Sequence, residues 1–312
     1  MESIAQEIEA GRTGGCRPHS IQTPFLAHYA GLRAKRMFGV PVIATYHTHF
    51  EEYIHHYLPV MPRPWLRSFA RSIARSQCNE PDAVVVPSVA MRDTLSNYGI
   101  TAPLHILPTG IPVGQFANGK GAEFRQRHDL AEDAPLALFV GRVAHEKNIG
   151  FLLDATRLIL QRLPKFRLII AGEGPALPSL KRMATNLDIE RNVRFIGYLD
   201  RTTELPDCYA AANVFVFTSK TGTQGLVLLE AMAAGIPVYA FAAMGTCDIV
   251  GPQQGAIAAP DDINEFVKGL SLLLCNRLQL DQMSARGKTF AASWSAPERE
   301  RQLAMLYRSL AN

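Results

Sequence analysis

No stretch of this 312-residue sequence approaches the roughly 18 consecutive apolar residues that suggest a membrane span. The N-terminal MESIAQEIEAGRTGGCRPHS places acids early and lacks the apolar core of a secretory signal. Cysteine is sparse: five residues, at 16, 78, 208, 247 and 275, odd in number and without a CxxC pair. Their scatter reads as free thiols in a reducing compartment, so the expected address is cytoplasmic, with attachment to the inner face of the membrane left open. One-sided charge is missing too. Lys and Arg number 32 against 28 Asp and Glu, a formal +4, too small and too dispersed for a nucleic-acid binder. Two motifs are absent: GxGxxG, which leaves a dinucleotide fold poorly supported, and HExxH, which removes the most familiar zinc helix. No metal or other cofactor is expected.

What is present is core material and a regular rhythm. Apolar residues make up 47% of the chain, and its length suits two domains of ordinary size. Helical periodicity covers 22–38, short apolar runs at 40–47 and 81–88 read as strands, and Ser88 is placed to cap a following helix. Helical segments are expected near 50–57 and 63–77, and a third strand and turn at 104–110. Residues 111–133, with a polar helix near 121–128, read as a linker region. Strands and helices then alternate from PLALFVGR to GAIAAP before three closing helices. The expected fold class is α/β, with parallel sheets covered on both faces. Ligands in such sheets bind beyond the carboxyl ends of the strands.

That rule selects a few polar groups. FVGRVAHEKNIG places Gly141, Arg142 and Lys147 where a strand turns into a helix. Two cations there, beside free helix amides, suit a diphosphate, although an ordinary solvated loop has the same residues. AGEGP, with Glu173, is a tight turn of the kind a backbone makes when it approaches something closely. In TGTQGLVLLEAMAAG a flexible Gly222–Gly225 loop precedes a helix beginning near Gly225 or Leu226, so the amides from Gly225 through Val227 could receive phosphate oxygens. Glu230 follows one turn later among apolar neighbours. A buried charge without a partner is costly, so it reads as a carboxylate accepting a diol's hydroxyls rather than a solvent-facing glutamate.

ATYHTHFEEYIHHYLP concentrates four of the nine histidines. Of these, His47, at the strand's carboxyl end, is the candidate for a substrate hydrogen bond, against a plain core or surface role, and His55 and His56 read as surface residues. Arg63, Arg67, Arg71 and Arg75 form a cationic row beside an apolar stripe of Leu66, Phe69, Ala70 and Ile73. This is the form of an interfacial helix that touches anionic lipid through residues 61–77, or of a surface helix packed on the core.

Together GRVAHEKN, AGEGP, NVRFIGYL, VFTSKTGTQGLVLLEAMAAGIPV, YHTHFEEY and LPTGIPVGQF resemble the retaining glycosyltransferase family 4, from about residue 20 to the C-terminus. The likeness extends to bacterial glycolipid-forming glucosyl- and mannosyltransferases. It implies a GT-B architecture of two Rossmann-like domains facing a cleft. These would be a partial acceptor-side domain over 1–120, a nucleotide-sugar-binding domain over 121–290, and a C-terminal helix over 291–312 packing back toward the first. It implies that Arg142 and Lys147 hold the diphosphate of a nucleotide sugar, often UDP-linked. The amides of Gly225, Leu226 and Val227 would receive the phosphates, Glu230 the ribose, and Glu173 with its glycines the base. His47 would sit by the transferred sugar and a lipid or glycan acceptor.

Two departures accompany the resemblance. The family carries glutamates at both ends of the loop-and-helix motif, and the first position is Gly222 here. The chain also has only a short polar lead before Phe25, so the N-terminal domain is expected to lack its first strands. These departures favour a second reading, a nucleotide-sugar-binding protein with weak or no turnover. A phosphorylase or epimerase of the same architecture is a third reading, and dehydrogenase action the most remote.

Overall fold

The computed structural model describes residues 19–21, 26–47 and 63–311, which fall into two compact units. The first unit reaches Pro108 and takes up the chain again from Arg299, and the second spans Thr109–Glu298. The boundaries expected from the sequence lie at 120 and 290.

The first unit runs β1 (His19–Ile21), α1 (Leu26–Phe38), β2 (Val42–Thr45), α2 (Arg63–Asn79), β3 (Ala83–Val86), α3 (Val89–Asn97) and β4 (Leu104–Ile106). Its four strands are parallel in the order β1-β2-β3-β4. β1 lies in the lead that reads as merely polar, where three residues are too few to show alternation. Ser88 does cap α3, its hydroxyl accepting from the Met91 amide at 3.2 Å. Asp82 anchors the start of β2 by accepting from the Val42 amide and from Lys35, both at 2.8 Å. The helix expected near 50–57 lies outside the described residues.

On α2 the buried row is Leu66, Ala70, Ala74 and Cys78, one position every turn. This corrects the expected stripe. Phe69 is 56% exposed, beside Trp65 at 72%. Four-residue spacing keeps 66, 70, 74 and 78 on one line, whereas Phe69 falls about a quarter turn away.

The second unit contains α4 (Val113–Phe116), α5 (Gly121–Arg127), β5 (Leu136–Val140), α6 (Ile149–Ile159), β6 (Arg167–Ala171), α7 (Leu177–Asn186), β7 (Val193–Gly197), α8 (Glu204–Ala211), β8 (Val214–Phe217), α9 (Leu226–Ala233), β9 (Val238–Ala240), β10 (Ala256–Ala258), α10 (Ile263–Cys275) and α11 (Arg277–Ala292). A last helix, α12 (Ala296–Ala311), begins in this unit and ends in the first. In the first unit its Leu306 packs with Ile43, Ala83 and Val85.

The second sheet is parallel throughout, ordered β10-β9-β8-β5-β6-β7. β5 and β8 are neighbours although two βα units separate them in sequence, so the winding reverses between them. Such a reversal opens a crevice at the strands' carboxyl ends. Both units thus have the Rossmann-like α/β build of the GT-B class. β5 and β8 are buried along their whole length, consistent with strands covered on both faces.

The segment expected as a linker is instead part of the second unit's core. Phe116 and Phe124 are fully buried, and α4 and α5 are too short for periodicity to identify their inner faces. Arg125, buried beside them, donates to the carbonyls of Ala211, Ala131 and Ala134 and to Asn213 Oδ1 at 2.8–3.1 Å. Arg125→Met leaves these acceptors unpaired, with an expected loss of about 2–4 kcal/mol in chemical denaturation. A loss below about 1 kcal/mol would show that water replaces the guanidinium.

Candidate functional site

The loops at the reversal point are fixed to one another by backbone contacts. After β5 the chain passes through Gly141, whose amide donates to Ala171 O at 3.0 Å, and the Val143 amide donates to Glu173 O at 2.8 Å. Gly172 has φ 133°, and a Cβ there would lie 2.0 Å from Gly141 O. Only glycine allows the two loops to meet this closely.

On the other side, Asn148 and Thr218 bond reciprocally: Thr218 Oγ1 donates to Asn148 O at 3.1 Å and Asn148 Nδ2 to Thr218 O at 3.4 Å. Ser219 Oγ donates to Glu146 O at 3.2 Å. The β5 loop is therefore held against both the β6 loop and the β8 loop.

This clamp positions two cations. Arg142 is exposed and Lys147 half-buried on a short 3-10 turn. Neither side chain makes a hydrogen bond or salt bridge among the described residues. Desolvation lowers the Lys147 pKa, Glu146 partly offsets this, and the Arg142 charge lowers it further. The next element, α9, is entered through Gly225 in the left-handed conformation, φ 81°. The amides of Leu226 and Val227 find no acceptor among the described residues, and the positive end of the helix dipole adds to the local field.

A cavity of about 280 Å³ opens between the β6 and β7 loops, lined by Gly141, Arg142, Glu173, Tyr198, Arg201 and Val227 among others. Glu230 lies behind it, 2% exposed. Its carboxylate is not alone: Oε1 accepts from Arg201 Nη2, and Oε2 accepts from the Tyr209 hydroxyl at 2.9 Å. Burial and the Glu230 charge push the Tyr209 pKa well above its ordinary value, so it remains a donor.

Thus the sequence-selected residues of the second unit share one region. Gly141, Arg142, Glu173 and Val227 line the cavity, Lys147 stands on the clamped turn, Gly225 and Leu226 start α9, and Glu230 sits one turn in. Arg201, Tyr209, Asn148, Thr218 and Gln224 were not singled out. Gln224 is buried and grips the backbone of one residue, accepting from the Thr109 amide at 3.2 Å and donating to the Thr109 carbonyl at 2.8 Å.

In the first unit His47 follows β2 and is exposed at the level of the whole residue, yet desolvation by the surrounding protein lowers its pKa. Residues 48–62, with the other three histidines of that run, are outside the described set. Among the described residues no three His, Cys, Asp or Glu gather as a metal site, and no helix is long and apolar enough to cross a membrane.

Comparison with known proteins identifies relatives of this arrangement. Residues 121–290 match the model for glycosyl transferases group 1, and residues 15–115 that for glycosyltransferase family 4. An alpha-monoglucosyldiacylglycerol synthase of Streptococcus pneumoniae is 33% identical over 266 residues, covering 78% of this chain and 59% of the relative. A sulfoquinovosyl transferase of Arabidopsis thaliana is 32% identical, covering 88% of this chain and 53% of the relative. The chain therefore spans between half and three fifths of the length of these curated relatives. Among solved structures, Anabaena HepE in complex with UDP superposes with a TM-score of 0.80 at 18% identity, over 98% of this chain and 82% of that one. With more than half of its length in the first of those family models, this chain belongs to the group 1 glycosyl transferases.

Proposed function

We propose that this chain is a retaining glycosyltransferase that moves a hexose from a UDP-linked nucleotide sugar to a lipid or glycan acceptor. The observation that carries the reading is the meeting, at one reversal point, of two cations without salt-bridge partners and two helix amides without acceptors among the described residues. A diphosphate satisfies all four. Arg142 and Lys147 hold it, the amides from Gly225 to Val227 bind its oxygens, Glu230 accepts the ribose hydroxyls, and Glu173 lines the base pocket. His47 contacts the transferred sugar or acceptor. As the glycosidic bond breaks, charge grows on the departing diphosphate. Fixed cations and amides stabilise that charge more strongly than water does, because they need no reorganisation.

A lipid acceptor is favoured by the diacylglycerol in the pneumococcal relative's name and by the outer face of α2, where Trp65 and Phe69 stand exposed, with Arg75 exposed further along the same helix. Exposed aromatic side chains on a helix that also carries an exposed cation suit an anionic membrane surface. The expected result is co-sedimentation with phosphatidylglycerol vesicles, reduced about fivefold or more in a W65S/F69S double variant. Equal sedimentation of both proteins would remove α2 from the membrane contact.

The functional test is nucleotide release from a panel of UDP- and GDP-sugars, with and without anionic vesicles containing diacylglycerol. Release from one donor, with an α-linked product from an α-linked donor, supports retention and transfer. Gly222 favours a second reading, a nucleotide-sugar binder without turnover. That reading prevails if UDP binds and no sugar is released.

A further inference from the structure

Arg201 has no role in the reading above, yet its setting is built. It belongs to a turn organised by Asp200, whose carboxylate accepts from the amides of Thr202 and Thr203 at 2.9 and 3.0 Å and from their hydroxyls at 2.6 and 2.9 Å. Those bonds, the Thr202 hydroxyl's first, hold the Asp200 carboxyl down at about 2, so the turn stays formed across the neutral range. Gln115 donates to the backbone carbonyl of Arg201, and Glu204 accepts from the Asp200 amide at 3.0 Å. The backbone is fixed from several directions while the side chain projects.

That side chain spans two environments. Nη2 reaches the buried Oε1 of Glu230, and the guanidinium lines the 280 Å³ cavity with Arg142 and Glu173. Nε and Nη1 donate to nothing else among the described residues. Tyr209 approaches Glu230 from the opposite oxygen. A carboxylate held at both oxygens cannot rotate freely, yet each oxygen keeps a lone pair for another donor.

We propose that Arg201 is a nucleoside-positioning residue of the donor site: it sets the orientation in which Glu230 accepts a ribose diol, and its remaining N–H groups face the nucleoside in the cavity. The inference rests on the nucleotide-binding reading of this site. Its ligand class is a ribonucleoside diphosphate, and its chemical signature is discrimination for the 2′-hydroxyl. A residue that merely supports the fold would weaken every nucleotide alike.

The experiment is calorimetric titration of wild-type protein, R201A and R201K with UDP and with 2′-deoxy-UDP, after thermal melts show that each variant is folded. Wild type is expected to prefer UDP by about tenfold, the size of one lost hydrogen bond to a charged group. In R201A, UDP binding falls about tenfold and the preference for the ribose form disappears. R201K, which keeps the charge without the planar fork, is expected to recover only part of that preference. Retention of the full preference in R201A, or an equal loss for both ligands, overturns the inference while leaving the nucleotide site standing. Failure of wild-type protein to bind UDP overturns the donor-site reading and this inference together.

Discussion

Replacing Lys147 with alanine is expected to lower kcat/KM for the donor sugar at least 100-fold, about 3 kcal/mol of transition-state stabilisation. The side chain is half-buried on a turn clamped between the β6 and β8 loops, so its charge acts where solvent screening is reduced. Most of the loss should fall on kcat, because the diphosphate gains charge as the sugar departs. The lowered Lys147 pKa supplies a second signature. Diphosphate binds better to the charged lysine, so affinity is present below the folded pKa and declines as pH rises through it. That decline should begin at lower pH than an ordinary lysine would give. In K147R the guanidinium does not titrate in this range, and the alkaline decline should vanish. Titrations from neutral to alkaline pH check both statements, and a matching decline in K147R would assign the effect elsewhere.

Gly222→Glu is expected to raise turnover about 10- to 100-fold, roughly 1.4–2.7 kcal/mol, while UDP affinity changes little. The site has room for the new side chain to leave the backbone. A Cβ at Gly222 would meet the Phe217 ring and the Thr246 methyl at 3.7 Å, ordinary contact distance, and its φ lies outside the left-handed region. The backbone role of the residue, accepting from the Gly245 amide at 2.9 Å, does not depend on the side chain. The family resemblance implies that a carboxylate at this position would lie near the donor sugar's hydroxyls. Restoring it should orient the sugar rather than the nucleotide, which is why the gain is expected in kcat. Paired rate and binding measurements on both proteins decide the matter. Unchanged turnover with intact UDP binding would show that Gly222 is not the limiting feature.

Elements with strong local patterns were legible in the sequence. β5 and β8 are apolar along their length, and the polar residues after them mark strand ends whatever the tertiary detail. Ser88 could be read as a cap because its partner, the Met91 amide, is three residues away. Glu230 could be read as buried from its neighbours alone. Its partners could not, since Arg201 and Tyr209 arrive from a separate βα unit and only the strand order brings them near. A still greater separation in sequence hid the Gln224 grip on Thr109.

The misread segments fail for identifiable reasons. Phe116 and Phe124 sit in helices too short to show a period, so Gly, Lys and acidic residues around them suggested a linker. On α2 the apolar residues outnumber the buried line, and composition alone did not separate Leu66 and Ala70 from exposed Phe69. The three residues of β1 are recognisable only through their parallel pairing with β2.

The central claim is that the ends of β5 and β8 form a nucleoside-diphosphate site. Its most direct test is equilibrium titration of UDP into wild-type, K147A and E230A proteins at fixed ionic strength. The expected result is saturable one-site binding by wild-type protein, weakened at least tenfold in each variant. Saturable binding that neither substitution alters, or the absence of binding by wild-type protein, would contradict it.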